Sequence, residues 1–160
     1  MDITLRTRTR EHVVTFWERT RDEEIRSLFP TDVESLAEAL RLYEESRTAG
    51  ARSFGMVIYA GDQYIGDVWC YGIDETVEKM GMISFVIFEK ERWGKGIAAA
   101  AVWAFIPELL SRYEIKRLGA FTYSANRRSV GLLRKLGFEE AEVFTEEGRE
   151  SIYFEKRLSF

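Results

Sequence analysis

A chain of 160 residues is long enough for one domain with a sizeable core and too short for two comfortable ones. Its net charge of -4 leaves no global basic footprint for nucleic acid, and its single cysteine, Cys70, excludes an internal disulfide and argues against a metal cluster. The N-terminal MDITLRTRTR lacks the apolar stretch of a leader, and no apolar run approaches the ~20 residues of a membrane span, so a cytoplasmic protein with no membrane partner is expected.

Ile3 to Thr7 alternates apolar and polar residues, the period of a short strand. Thr9-Arg10-Glu11-His12 opens a helix whose apolar face is Val13, Val14, Phe16 and Trp17, and Asp22 to Arg26 adds a helical turn or two before Phe29-Pro30. Thr31-Asp32-Val33-Glu34 pairs a hydroxyl with a carboxylate three residues on, which predicts a helix start ahead of Leu36, Ala39, Leu40 and Tyr43, with Gly50 as its stop. Ser53 to Ala60 and Tyr64 to Ile73 read as strands of a hairpin joined through Gly61-Asp62-Gln63. Met80 to Phe88 is more continuously apolar, as in a strand covered on both faces, and a helix over about 94–113 follows it. Arg117 to Tyr123 is the next strand, and Asn126 to Leu136 a helix closed by Gly137. Glu142 to Thr145 and Ser151 to Phe154 flank Glu146-Glu147-Gly148 as a final hairpin. With no linker or repeat, residues 1–160 read as a single domain.

The stretch RWGKGIAAAAV, Arg92 to Val102, sets two glycines one residue apart before a strong helix former. A strand running into such a turn leaves the first helical N-H groups without partners, and the helix dipole makes them an anion site. Gly94 and Gly96 let a phosphate approach the backbone, and Lys95 adds positive charge. An ordinary tight turn fits the same residues. The full Walker pattern is missing, and although Gly94, Gly96 and Ala99 satisfy a dinucleotide fingerprint, the next strand ends without the carboxylate that reading requires.

A second segment, SANRRSVGLLRKLGF (Ser124 to Phe138), bears on the choice. Together the two segments resemble the GNAT superfamily of N-acetyltransferases. Trp93-Gly94-Lys95-Gly96-Ile97-Ala98 is similar to that family's pyrophosphate loop, and Asn126-Arg127-Arg128-Ser129 with Lys135-Leu136-Gly137-Phe138 to its second cofactor motif. Trp93 and the Asn-x-x-Ser spacing are similar to the branch that acetylates ribosomal-protein N-termini. The resemblance spans the chain and implies an α/β (α+β) fold: a mixed, mostly antiparallel central sheet of about seven strands with helices on both faces.

It also implies acetyl-CoA as cofactor and a primary amine, on a small molecule or a peptide N-terminus, as acceptor. Val86, Ile87 and Phe88 would offer main-chain groups to the pantetheine arm, with the Val86 N-H polarising the acetyl carbonyl. Residues 93 to 98 (Trp93, Gly94, Lys95, Gly96, Ile97 and Ala98) would take the pyrophosphate, Asn126 the pantetheine region, and Ser129 would protonate the departing thiolate. Leu133 stands where many members carry a tyrosine acid. Helix capping is the competing account of Asn126 and Ser129. Arg127-Arg128 would face solvent or meet the nucleotide 3'-phosphate. A homodimer is compatible with the fold, no metal is implied, and a non-catalytic CoA-binding sensor or assembly module is the alternative function.

Direct attack needs a neutral amine. A side-chain amine near pKa ~10.4 loses roughly 4.6 kcal/mol to protonation at pH 7, an α-amine near ~7.8 only about 1 kcal/mol. A base therefore matters mainly for the former. Met82 to Phe88 has no carboxylate, which leaves Asp67 as a candidate base, or Glu23 and Glu24 against their simpler reading as a solvated helix start. His12 is expected to pack on its helix, Cys70 to be an inert buried thiol, and Trp69 and Tyr71 to line either core or acceptor pocket.

Overall fold

Among the described residues, four of five α-helices begin on a side chain that accepts from the first turn. The computed structural model describes residues 2–29 and 31–158. Helix α1 (Arg10–Arg19) follows β1 (Ile3–Thr7) and is capped reciprocally: Thr9 accepts from the His12 N-H, and the His12 ring accepts from the Thr9 N-H. Asp22 caps α2 (Glu23–Leu28).

Helix α3 (Leu36–Ser46) starts on Ser35, not Thr31. Ser35 accepts from the Glu38 N-H at 3.1 Å, and Glu38 reaches back to the Glu34 N-H. Thr31 instead closes a short turn on the Val33 N-H. The helix also ends before Gly50. Helix α5 (Arg127–Lys135) stops as its glycine implies: Gly137 takes φ +91° while Phe138 N-H reaches Leu133 and Gly137 N-H reaches Arg134.

The strands β2 (Phe54–Ala60), β3 (Gln63–Asp74), β4 (Met80–Ile87), β5 (Arg117–Tyr123), β6 (Glu139–Glu146) and β7 (Arg149–Arg157) join β1 in one seven-stranded sheet of order β1-β2-β3-β4-β5-β7-β6. Phe88 lies just beyond β4. Every adjacent pair is antiparallel except β4 and β5. That parallel ladder spans only Met80–Arg117, Gly81–Leu118 and Met82–Gly119. Beyond it the two strands splay, β4 staying with β3 and β5 with β7.

Helix α4 (Ile97–Leu110) is shorter than the 94–113 expected from sequence, because both glycines remain in the preceding loop. It packs Val102, Phe105 and Leu109 against Ile58, Val68, Ile83 and Leu118, in the same buried cluster as Leu133 and Leu136. Each such fully buried side chain contributes about 1.5–3 kcal/mol. A smaller cluster of Ile25, Val86 and Phe88, with Phe16, Trp69 and Trp93 against it, lies under α1 and α2. The sheet thus carries helices on both faces, in the expected α/β architecture.

Candidate active site

After β4 the chain makes one 3-10 turn (Lys90–Arg92) and enters the glycine loop. Gly94 and Gly96 take φ of +74° and +77°, the left-handed region that suits glycine, and a Cβ on either would meet nothing within 4 Å. Gly96 is the N-cap of α4 and offers no side chain. The first bond of this helix runs from Ala100 N-H to Gly96 carbonyl, so the N-H groups of Ile97, Ala98 and Ala99 have no carbonyl upstream. Open space therefore faces bare amides at the positive end of the helix dipole. Trp93 anchors the loop by donating its indole N-H to the Ile87 carbonyl at 2.7 Å, and the Arg128 guanidinium lies 5.3 Å from the Trp93 ring centre. Lys95 is exposed beside the loop.

Backbone groups alternate sides along β4. The Phe88 N-H donates to Ile65 on the β3 side, whereas the Lys79 and Ile87 carbonyls point the other way, to Lys116 and Trp93. Even-numbered residues thus face β3. Val86 is one of them: it pairs with Asp67, and a Cβ on Gly66 would lie 2.2 Å from its carbonyl oxygen. Its N-H is directed into the sheet, away from the splay, which corrects the role read for it from the sequence. Past the parallel ladder the open edge belongs to Phe85 and to the N-H of Ile87, whose carbonyl accepts from Trp93, and the Phe88 N-H is likewise taken by β3.

A cavity of about 1160 Å³ passes through this splay. Ser129 and Leu133 line it on the α5 side, Phe85 and Val86 at the gap, and Phe16, Trp69 and Tyr71 under α1 and α2. Trp69 and Tyr71 therefore line a pocket, one of the two alternatives the sequence left open. Asn126 is 6% exposed and caps α5 by accepting from the Ser129 N-H at 3.3 Å. Its Nδ2 is buried and has no partner, and the buried hydroxyl of Ser124 has none either. Capping thus explains one end of the Asn126 amide and leaves the other unexplained.

Asp67 is buried, and its two carboxylate oxygens are engaged, one by Arg8 Nη2 at 2.9 Å and the other by the Tyr64 hydroxyl. Burial is the largest influence on its pKa and pushes it up, against the opposing pull of Arg8. Arg8 comes from just after β1 and lies over Gly55, where a Cβ would sit 2.5 Å from its Nη2. Nothing in the spacing of residues 8, 55, 64 and 67 announces this cluster. Alternation in β3 places Asp67 on a face, and only the tertiary fold brings Arg8 to it. Glu24 and Asp22 are bound by Lys90 at 3.0 and 2.8 Å, and Glu23 is exposed. Cys70 is buried, and burial pushes its thiol up to about 12, so it holds no thiolate for an acyl-cysteine route. Among the described residues no group of His, Cys, Asp and Glu could hold a metal, and no helix is long and apolar enough to cross a membrane.

The family model described as an acetyltransferase (GNAT) domain matches residues 2–139. The chain belongs to the GNAT acetyltransferase family. No protein of curated function matches this GNAT chain by sequence. Among solved structures, a spermidine N-acetyltransferase from Vibrio cholerae in complex with CoA and spermine superposes with a TM-score of 0.83 at 20% identity, covering 97% of this chain and 95% of that one. The ribosomal-protein-S5-alanine acetyltransferase from Vibrio fischeri gives a TM-score of 0.81 at 19% identity, over 98% and 93% of the two chains. An aminoglycoside acetyltransferase in complex with coenzyme A gives 0.79 at 19% identity, over 98% and 95%. GNAT enzymes use acetyl-CoA, and the residues here fit it: uncapped amides and open glycines could receive a diphosphate, and the buried Asn126 Nδ2 lacks an acceptor.

Proposed function

We propose that this protein transfers the acetyl group of acetyl-CoA to a primary amine, on a small molecule or a peptide N-terminus, by direct attack. The observation that carries the reading is the cavity through the β4–β5 splay, which opens one passage to both faces of the sheet. Two substrates can then meet end to end, the acyl donor beside α4 and α5 and the acceptor beneath α1 and α2. Proximity of this kind lowers the barrier by removing translational freedom before reaction.

When bound, acetyl-CoA supplies an acetyl group activated as a thioester. The amides of Ile97, Ala98 and Ala99, with the Gly94–Gly96 backbone, bind the diphosphate, and Lys95 adds charge at the loop. Asn126 Nδ2 donates to an amide carbonyl of the pantetheine arm. The N-H groups of Phe85 and Ile87, on the free edge of β4, pair with that arm and polarise the acetyl carbonyl, the task first read for Val86. Ser129, lining the cavity at the first turn of α5, protonates the leaving thiolate. Asp67 has both oxygens engaged and serves to hold Arg8, so the attacking amine loses its proton to water.

The test is release of free CoA, followed with a thiol reagent, over a panel of amines and peptides. Turnover above acetyl-CoA hydrolysis is expected. Binding of acetyl-CoA without CoA release from any amine would favour the alternative, a non-catalytic CoA-binding module.

A further inference from the structure

The cavity wall carries several guanidinium groups, not all of them ion-paired among the described residues, in a chain of net charge -4. Arg8, Arg21, Arg26 and Arg52 line the cavity, together with the carboxylates Asp32, Glu34, Glu45 and Asp67. Arg8 is paired with Asp67, whose carboxylate also accepts from the Tyr64 hydroxyl and lines the cavity beside it. The Arg8 Nε is buried and has no hydrogen-bond partner. Its berth depends on the bare Cα of Gly55, so a built and supported cation stands in the wall.

Arg21 lies over Trp17, its Cζ 3.7 Å from the ring centre, and its Nε donates to the Trp17 carbonyl. Among the described residues, neither Arg21 nor Arg26 forms an ion pair. The adjacent carboxylates of Asp22 and Glu24 are taken by Lys90. Burial and, after it, the charge of Arg26 lower the pKa of Arg21. Asp32 and Glu34 line the cavity from the exposed α2–α3 connection and Glu45 from α3, where it pairs with Arg41.

We propose that the acceptor amine also carries an oxyanion, a carboxylate or a phosphate, which Arg8, Arg21 and Arg26 receive. This inference rests on the acetyl-transfer reading above. A planar guanidinium fork matches either oxyanion in two-point contact. The same charges disfavour an ammonium ion beside them relative to the free amine, which is the form that attacks. A polycation such as spermidine meets repulsion at this wall instead.

The experiment compares free amino acids, their carboxamides, phosphoethanolamine and spermidine. It reads kcat/KM by CoA release and, in parallel, binding by calorimetry to the CoA-loaded protein. At least one oxyanion-bearing amine is expected to exceed its uncharged counterpart and spermidine tenfold or more, the carboxylate and phosphate arms showing which oxyanion is read. In the double variant Arg21→Gln/Arg26→Gln, and separately in Arg8→Lys, that ratio falls fivefold or more. Equal or better performance by carboxamides or spermidine overturns the proposal, as does a ratio unmoved in both variants or binding by none of the oxyanion-bearing amines. Because binding is measured independently, absence of turnover with every amine counts against acetyl transfer alone, and the acceptor class is still decided.

Discussion

The indole N-H of Trp93 donates to the carbonyl of Ile87 at 2.7 Å, tying the glycine loop to the last residue of β4. One hydrogen bond therefore connects the two backbone segments proposed to hold the cofactor. A neutral bond of this kind is worth about 1 kcal/mol. Trp93→Phe keeps the ring and removes the donor, so the Kd for acetyl-CoA should rise about fivefold in calorimetry. An unchanged Kd would show that the loop holds its position without this tether.

Gly96→Val should abolish cofactor binding for two separable reasons. A β-branched residue at φ +77° is strained, and its side chain would fill the open space before the first-turn amides. Gly96→Ala carries about 1–2 kcal/mol of the same backbone strain with a smaller obstruction. Calorimetry with acetyl-CoA, alongside thermal melts, should show Ala losing mainly stability and Val losing binding at least tenfold beyond Ala. Wild-type affinity in Gly96→Val would remove the loop from the site.

Asn126 can be divided between its two jobs. Asn126→Asp keeps an oxygen for the Ser129 N-H but loses the orphaned Nδ2 donor. Melting should be little altered while the acetyl-CoA Kd rises tenfold or more. Asn126→Ala should lose about 1 kcal/mol of stability as well, from the missing cap. If Asp binds acetyl-CoA normally, capping is the whole role of this residue.

Ser129→Ala tests proton donation to the thiolate. General acid assistance contributes about a hundredfold or more to kcat. The variant should lose that factor in CoA release while the acetyl-CoA Kd stays within twofold. Equal loss of binding would make Ser129 a contact and not an acid.

His12 gives stability a pH dependence. Its Nδ1 accepts from the Thr9 N-H, so Nε2 bears the proton and donates to the Tyr59 hydroxyl. Burial lowers its pKa below the usual 6.5. The unfolded chain therefore takes up a proton first as the pH drops, so this contribution is complete above about 6.5 and is lost toward the lower folded value. Thermal melts should fall between pH 7 and pH 5. His12→Gln, whose amide can still accept from Thr9, should flatten that part of the curve. An identical slope in the variant would assign it to other groups.

The sequence was most legible where the signal is local. Seven alternating or apolar runs became seven strands, and Gly137 stopped α5 where it stood. Helix α3 shows the limit, because Thr31–Glu34 and Ser35–Glu38 carry the same hydroxyl-carboxylate pattern four residues apart. Only the second lets Glu38 return to the Glu34 amide, and that is the one used. Val86 was misread for a different reason. Composition locates a strand, but which of its amides faces outward depends on pairing with β3 and β5, a long-range fact. Arg8 was invisible altogether, since its partner lies 59 positions on and its berth is a missing methyl on a third strand.

The gap between β4 and β5 also decides where this fold is soft. A sheet is normally weakest at its margins, yet here the rungs are missing from the middle, between strands that are otherwise well paired. A linear ligand laid along that gap becomes an extra rung and stitches the two halves together. Amide hydrogens at Phe85 and Ile87 should then exchange rapidly in the bare protein and slowly in the loaded one, making rigidity at the centre a direct gauge of occupancy.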